Sequence, residues 1–123
     1  MARNRAGRNG GADPQPGPPD AVGGLEEPAP HFLGHRERLR ERFRQAGGEA
    51  LPDYELLELV LFRAVSRADV KPLAKALIDR FGSFGEVIAA PPGRLREVKG
   101  VGEAVVTELK LIGAAVERVT RGK

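Results

Sequence analysis

Cysteine and tryptophan are absent from this chain of 123 residues, and it holds one methionine, one tyrosine and five phenylalanines. Without cysteine there is no disulfide framework and no thiolate zinc site. No unbroken apolar run exceeds the four residues Leu59-Val60-Leu61-Phe62, far short of the ~20 that a membrane helix needs. The start, Met1-Ala2-Arg3-Asn4-Arg5, is charged, but no apolar stretch follows it. Neither a secretory signal nor a transit helix is expected, and the chain reads as soluble and cytoplasmic. A strong charge of one sign is lacking too: 20 Lys and Arg stand against 17 Asp and Glu, a formal net charge of +3. That balance permits an anionic partner such as nucleic acid without requiring one.

Proline and glycine are plentiful but unevenly placed. Residues 1–30 hold 6 of the 10 prolines and 6 of the 16 glycines, too little apolar surface to offset the entropy of ordering. This tail is expected to be disordered, Pro14-Gln15-Pro16-Gly17-Pro18-Pro19 most of all. A helical domain is expected over residues 31–123, a length that suffices for one compact core.

From His35 onward the apolar period is helical. His35–Ala46 carries only Leu39 and Phe43 as a stripe among five arginines, so it reads as mostly solvated. Gly47-Gly48 stops it. Pro52-Asp53 opens a second helix, with Asp53 placed to cap it; Leu56, Leu57, Leu59, Val60, Leu61, Phe62 and Val65 cover most of its circumference, which marks it as central and buried. Asp69 is placed to cap a third helix bearing Val70, Leu73, Ala74, Leu77, Ile78 and Phe81 on one face, with Pro72 in its first turn and Gly82 at its end. Ser83-Phe84-Gly85-Glu86 matches a capping box and starts a short fourth helix, which Pro91-Pro92 closes. A turn of helix around Leu95 and Val98 precedes Lys99-Gly100-Val101-Gly102. A last long helix then runs to about Val119, with Val105, Leu109, Ile112, Val116 and Val119 on one stripe. No segment alternates with period two, so the fold class is all-α.

The order contains a repeat. Residues 70–89 read as long helix, Gly82-Ser83 turn and short helix, and residues 93–119 as short helix, Gly100-Val101-Gly102 turn and long helix. Two helix-hairpin-helix units over residues 70–120 are the simplest account. In the second, two glycines flank one apolar residue that can plug into the core, and the N–H groups of Gly102, Glu103 and Ala104 lie at a helix N-terminus. Such donors, with the helix dipole, suit a phosphate.

Val98-Lys99-Gly100-Val101-Gly102 together with Phe81-Gly82-Ser83-Phe84 resembles the tandem helix-hairpin-helix domains of DNA-repair proteins. Four motifs in order extend the likeness: Gly34-His35-Arg36-Glu37-Arg38-Leu39-Arg40, Leu51-Pro52-Asp53-Tyr54-Glu55-Leu56-Leu57-Glu58, Asp69-Val70-Lys71-Pro72-Leu73-Ala74, and Phe81-Gly82-Ser83-Phe84. Over residues 31–121 they resemble the N-terminal domain of the RadC family. The resemblance implies a DNA-repair association. In that family a metallopeptidase-like domain with a Glu, a His-x-His-Pro and an Asp generally follows, and this chain does not carry it. The sequence departs from the hairpin pattern at Val106, where alanine is common.

No catalytic group is expected. Some helix-hairpin-helix glycosylases carry a lysine two positions after the second glycine, where this chain has Ala104. His31 and His35 have the spacing of a metal pair but no third ligand, so neither a metal nor a cofactor is expected. Glu55 and Glu58 read as the exposed edge of the second helix. The expected contact set is Lys99, Gly100, Val101, Gly102, Glu103 and Ala104 of the second hairpin, Gly82 and Ser83 of the first, and Arg36 and Arg40 of the arginine-rich helix. The partner would be DNA, held by its backbone and without sequence preference. The alternative is a protein-interaction or dimerisation module in which the hairpins are structural and the apolar second helix meets a partner.

Overall fold

A computed structural model describes residues 31–122. The chain divides into two units, Met1–His35 and Arg36–Lys123. Of the first unit only the start of a helix is described, and the disorder expected for residues 1–30 lies outside the described residues. Those residues form six α-helices and one short 3₁₀ turn, without a strand: α1 His31–Ala46, the turn Gly48–Ala50, α2 Asp53–Ala64, α3 Lys71–Phe81, α4 Phe84–Ala89, α5 Pro92–Arg96 and α6 Glu103–Arg121. The all-α expectation holds. No helix among them is long and apolar enough to cross a membrane.

The stops and starts follow local chemistry. Pro72 sits in the first turn of α3, where its missing N–H has no intrahelical partner to lose. The Asp69 carboxylate accepts the Lys71 N–H at 3.0 Å. Gly82 ends α3 at φ +109°, its N–H donating to Ile78 O at 2.7 Å. That is a backbone state which a side chain would strain. Ser83 caps α4, its hydroxyl accepting the Glu86 N–H at 3.1 Å as the capping box requires.

The central helix is α2, which packs on α3, α4 and α6; α4 also packs on α3 and α6, and α5 on α6. The pairs α3–α4 and α5–α6 thus surround α2. Leu57 and Leu61 of α2, Leu77 of α3, Val87 of α4, Leu95 of α5 and Leu109 of α6 have no exposure at all, so every one of these helices supplies a side chain to one core.

One expectation for the α1–α2 region is corrected. Glu55 and Glu58 are not an exposed edge: both are buried, Glu58 completely. With Phe62 they form an i, i+3, i+7 stripe turned toward α1, where Arg42 donates to the Glu55 carboxylate and Arg36 and Arg40 lie over the Phe62 ring, 4.7 and 5.3 Å from its centre. Most of α1 is solvated as expected, with Leu39 fully buried and Arg36 nearly so.

Candidate functional site

Two helix N-termini follow glycine-containing turns, and the structure treats them differently. At α4 two of the first-turn donors are already taken. Ser83 accepts from Glu86, and the Asp53 carboxylate accepts the Phe84 N–H at 2.8 Å. Asp53 was expected to cap its own helix; α2 instead begins behind Pro52 with no side-chain cap. The carboxylate reaches across 31 positions to the positive end of α4, where an anion is favoured by the dipole. Gly82 and Ser83 therefore serve a turn that carries its own internal anion.

Asp53→Ala removes this cap and is expected to cost about 1 kcal/mol, lowering Tm by roughly 4–8 °C for a domain of this size. Asp53→Asn keeps an acceptor and should retain most of the stability. Thermal unfolding of the two variants distinguishes the cap from a merely exposed carboxylate, whose removal would leave Tm unchanged.

The second turn is built otherwise. The Val101 N–H donates to Val98 O at 3.1 Å and closes it. Gly100 takes φ +98°, and a Cβ there would stand 3.4 Å from Leu73 Cδ1, so both conformation and space call for glycine. Val101 is half-buried against the core. Gly102 is extended, offers no side-chain cap, and faces open space, with nothing within 4 Å of the position a Cβ would take. Among the described residues nothing therefore covers the N-terminus of α6 at Gly102. Val106, where the hairpin pattern commonly has alanine, is accommodated in the core at 6% exposure.

The charges around this turn sort themselves into pairs and one remainder. The Glu103 carboxylate receives Arg96 Nε at 2.7 Å and Nη2 at 3.1 Å, a bidentate pair. These bonds hold Glu103 below the ordinary carboxylate range and raise Arg96 above the ordinary guanidinium value. A depressed carboxylate contributes stability above its unfolded-state pKa and loses it as pH falls through the folded value; on this exposed pair the effect is small. Glu97 is shared by Arg80 and Arg94. Lys99 is exposed and forms no hydrogen bond or ion pair among the described residues. A shallow pocket of about 360 Å³ lies beside it, lined by Val65, Ala68 and Asp69 of the α2–α3 loop, Leu73 of α3, Lys99 and Gly100.

Of the two arginines expected from α1, Arg36 is turned inward and Arg40 keeps a partly exposed side chain. Arg36 is 4% exposed and donates to three carbonyls, Phe62 O at 3.4 Å and Val65 O and Ala68 O at 2.6 Å each. Its guanidinium closes the C-terminus of α2 and holds the loop that lines the pocket. Arg40 is half-buried over Phe62, and Glu37 accepts from it at 3.4 Å. In the second helix, which the alternative has meeting a partner, Leu57, Leu61 and Phe62 are in the core while Leu56, Leu59 and Val60 are partly buried. Arg67, which the sequence reading does not single out, is an exposed cation on that α2–α3 loop. Its signal is a charge between turn residues, but which loop lies beside the second turn is not written locally.

The described residues form an all-helical domain in which, of the helix ends that follow the two turns, that of α4 is capped by side chains and that of α6 is not. A model of the UPF0758 N-terminal family matches residues 32–107, more than half of the chain, and the chain belongs to that family. The stretch lies within the region, residues 31–121, that resembles the RadC N-terminal domain. A UPF0758 protein of Rhodobacter capsulatus is 67% identical over 85 residues, 69% of this chain and 40% of the relative. A UPF0758 protein of Ruegeria pomeroyi is 62% identical over 93 residues, 76% of this chain and 42% of the relative. The chain thus spans about 40% of the length of the curated relatives it matches. No solved structure matches the chain.

Proposed function

We propose that this domain is a DNA-binding module of a RadC-like, repair-associated protein, and that its α5–α6 pair acts as a helix-hairpin-helix which holds backbone phosphate without sequence preference. The contrast between the two helix N-termini carries this reading. The end of α4 is filled by the Asp53 carboxylate, whereas among the described residues the end of α6 is open in front of Gly102 and Lys99 beside it forms no ion pair. Backbone N–H groups at a helix start together with one free ammonium suit a phosphate oxygen pair. The module binds and does not catalyse: Ala104 occupies the place of the glycosylase lysine.

Binding to duplex DNA should have a Kd on the order of 10⁻⁴–10⁻⁶ M at physiological salt, the range of backbone-only recognition. Lys99→Ala is expected to weaken it alike on all sequences and to lower the log–log salt slope by ~1, with Tm unchanged. Gly102→Val is the companion test. Because Gly102 is extended and a Cβ meets nothing, the substitution leaves the fold intact and places a branched side chain where the phosphate would sit. Titration of labelled duplex at several salt concentrations, with thermal unfolding as the control, measures both. If folded Lys99→Ala and Gly102→Val proteins bind as tightly as the parent, the turn is structural and the interaction-module reading replaces this one.

A further inference from the structure

At the opposite end of α6 from the second turn, an apolar face is left uncovered among the described residues. Among the described residues four large hydrophobic side chains are strongly exposed, and three belong to this segment: Leu111 at 58%, Val116 at 55% and Val119 at 80%. Val116 and Val119 continue the stripe whose first members, Val105 and Leu109, are 2% and 0% exposed. The cause is length. Helix α6 has 19 residues, about 28 Å, while α4 has six, about 9 Å. The two approach closely where a Cβ on Gly113 would meet Ile88 Cγ2 and O at 3.6 Å. A groove of about 700 Å³ opens there, lined by Phe84, Ile88 and Ala89 of α4 and Ile112, Gly113 and Val116 of α6. Lys110 stands at this groove with its Nζ on Ala90 O at 2.7 Å.

We propose that this groove and the overhanging valines seat the polypeptide that follows the domain in its longer relatives, through an apolar face of that polypeptide. Two observations select this occupant. The matched stretches cover only 40% and 42% of the two relatives, and the matching family is described as N-terminal, so more than half of each relative lies outside the stretch and follows it. The patch is also small. It comprises two turns of helix and a groove, and a partner on the same chain meets such a patch at an effective concentration in the millimolar range. A second copy, lacking that tether, fits less well.

Amide hydrogen exchange tests the proposal on two proteins, this full chain and the full-length Ruegeria pomeroyi relative. In this chain, residues 114–121 should exchange much faster than residues 105–112, and sedimentation should show a monomer. In the relative, the amides aligned with 114–121 and with α4 should exchange about tenfold or more slowly than in this chain. Aspartate placed at the relative's position aligned with Val119 should return them to the faster rate. Equal rates in the two proteins overturn the proposal. So does a concentration-dependent dimer of this chain that Val119→Asp dissolves, which would make a second copy the occupant.

Discussion

Arg36→Ala is expected to destabilise the domain by about 2–4 kcal/mol and to leave the salt slope of DNA binding unchanged. The guanidinium donates to Phe62 O, Val65 O and Ala68 O and lies 4.7 Å over the Phe62 ring. Alanine strips these carbonyls of their donor in a largely dry place, removes a cation from the negative end of α2, and uncovers an aromatic face. Burial and the neighbouring Arg40 push the Arg36 pKa down while Asp69 opposes them. A guanidinium nonetheless stays charged throughout the pH range in which the protein folds. Arg36→Lys restores the charge but not the planar fork that serves separate carbonyls, so it should recover less than half of the loss. Urea unfolding gives the magnitude, and a fall in Tm of roughly 10 °C or more accompanies it. The result that would reverse this assignment is an unchanged midpoint with a salt slope lowered by ~1, the behaviour of a phosphate contact.

Leu109→Ala is expected to cost about 2–5 kcal/mol, whereas Val119→Asp should change stability by less than about 0.5 kcal/mol. Both residues lie on one stripe of α6, ten positions apart. Leu109 has no exposed surface and belongs to the core, so truncation loses its burial and leaves a cavity; Val119 is 80% exposed, so aspartate there removes little from contact. Chemical denaturation of the two variants reads both values. A large loss from Val119→Asp would mean that the end of α6 is covered within this chain, which the docking proposal does not permit.

The helices were legible because their signals are short in range. A 3.6-residue apolar period, Gly82 and Gly100 at positive φ, Pro72 in a first turn and Ser83 three residues before Glu86 each act within one or two turns of chain. Each appears in the structure where the sequence places it. The Gly100-Val101-Gly102 turn was legible for the same reason.

Partner choice was not legible. Asp53 stands at the start of one helix and caps another, because a carboxylate goes to whichever positive helix end tertiary packing brings within 3 Å. Arg36, Arg40 and Arg44 are equally spaced, yet Arg36 is buried against carbonyls 26–32 positions away, and Arg44 stays at the surface on Glu37 and Glu41. Val105, Leu109, Ile112, Val116 and Val119 form one uniform stripe, and only the placement of the short α4 beside the long α6 divides it into core and overhang. The chain by itself determined an all-α domain, the order of its helices and the position of its turns, since each depends on residues within a few positions of one another. Which helix N-terminus is filled and which is open, which arginine is structural, and where the apolar stripe emerges into solvent were decided by the tertiary structure alone, because hydrogen-bond reach and burial depend on distance in space and not along the chain.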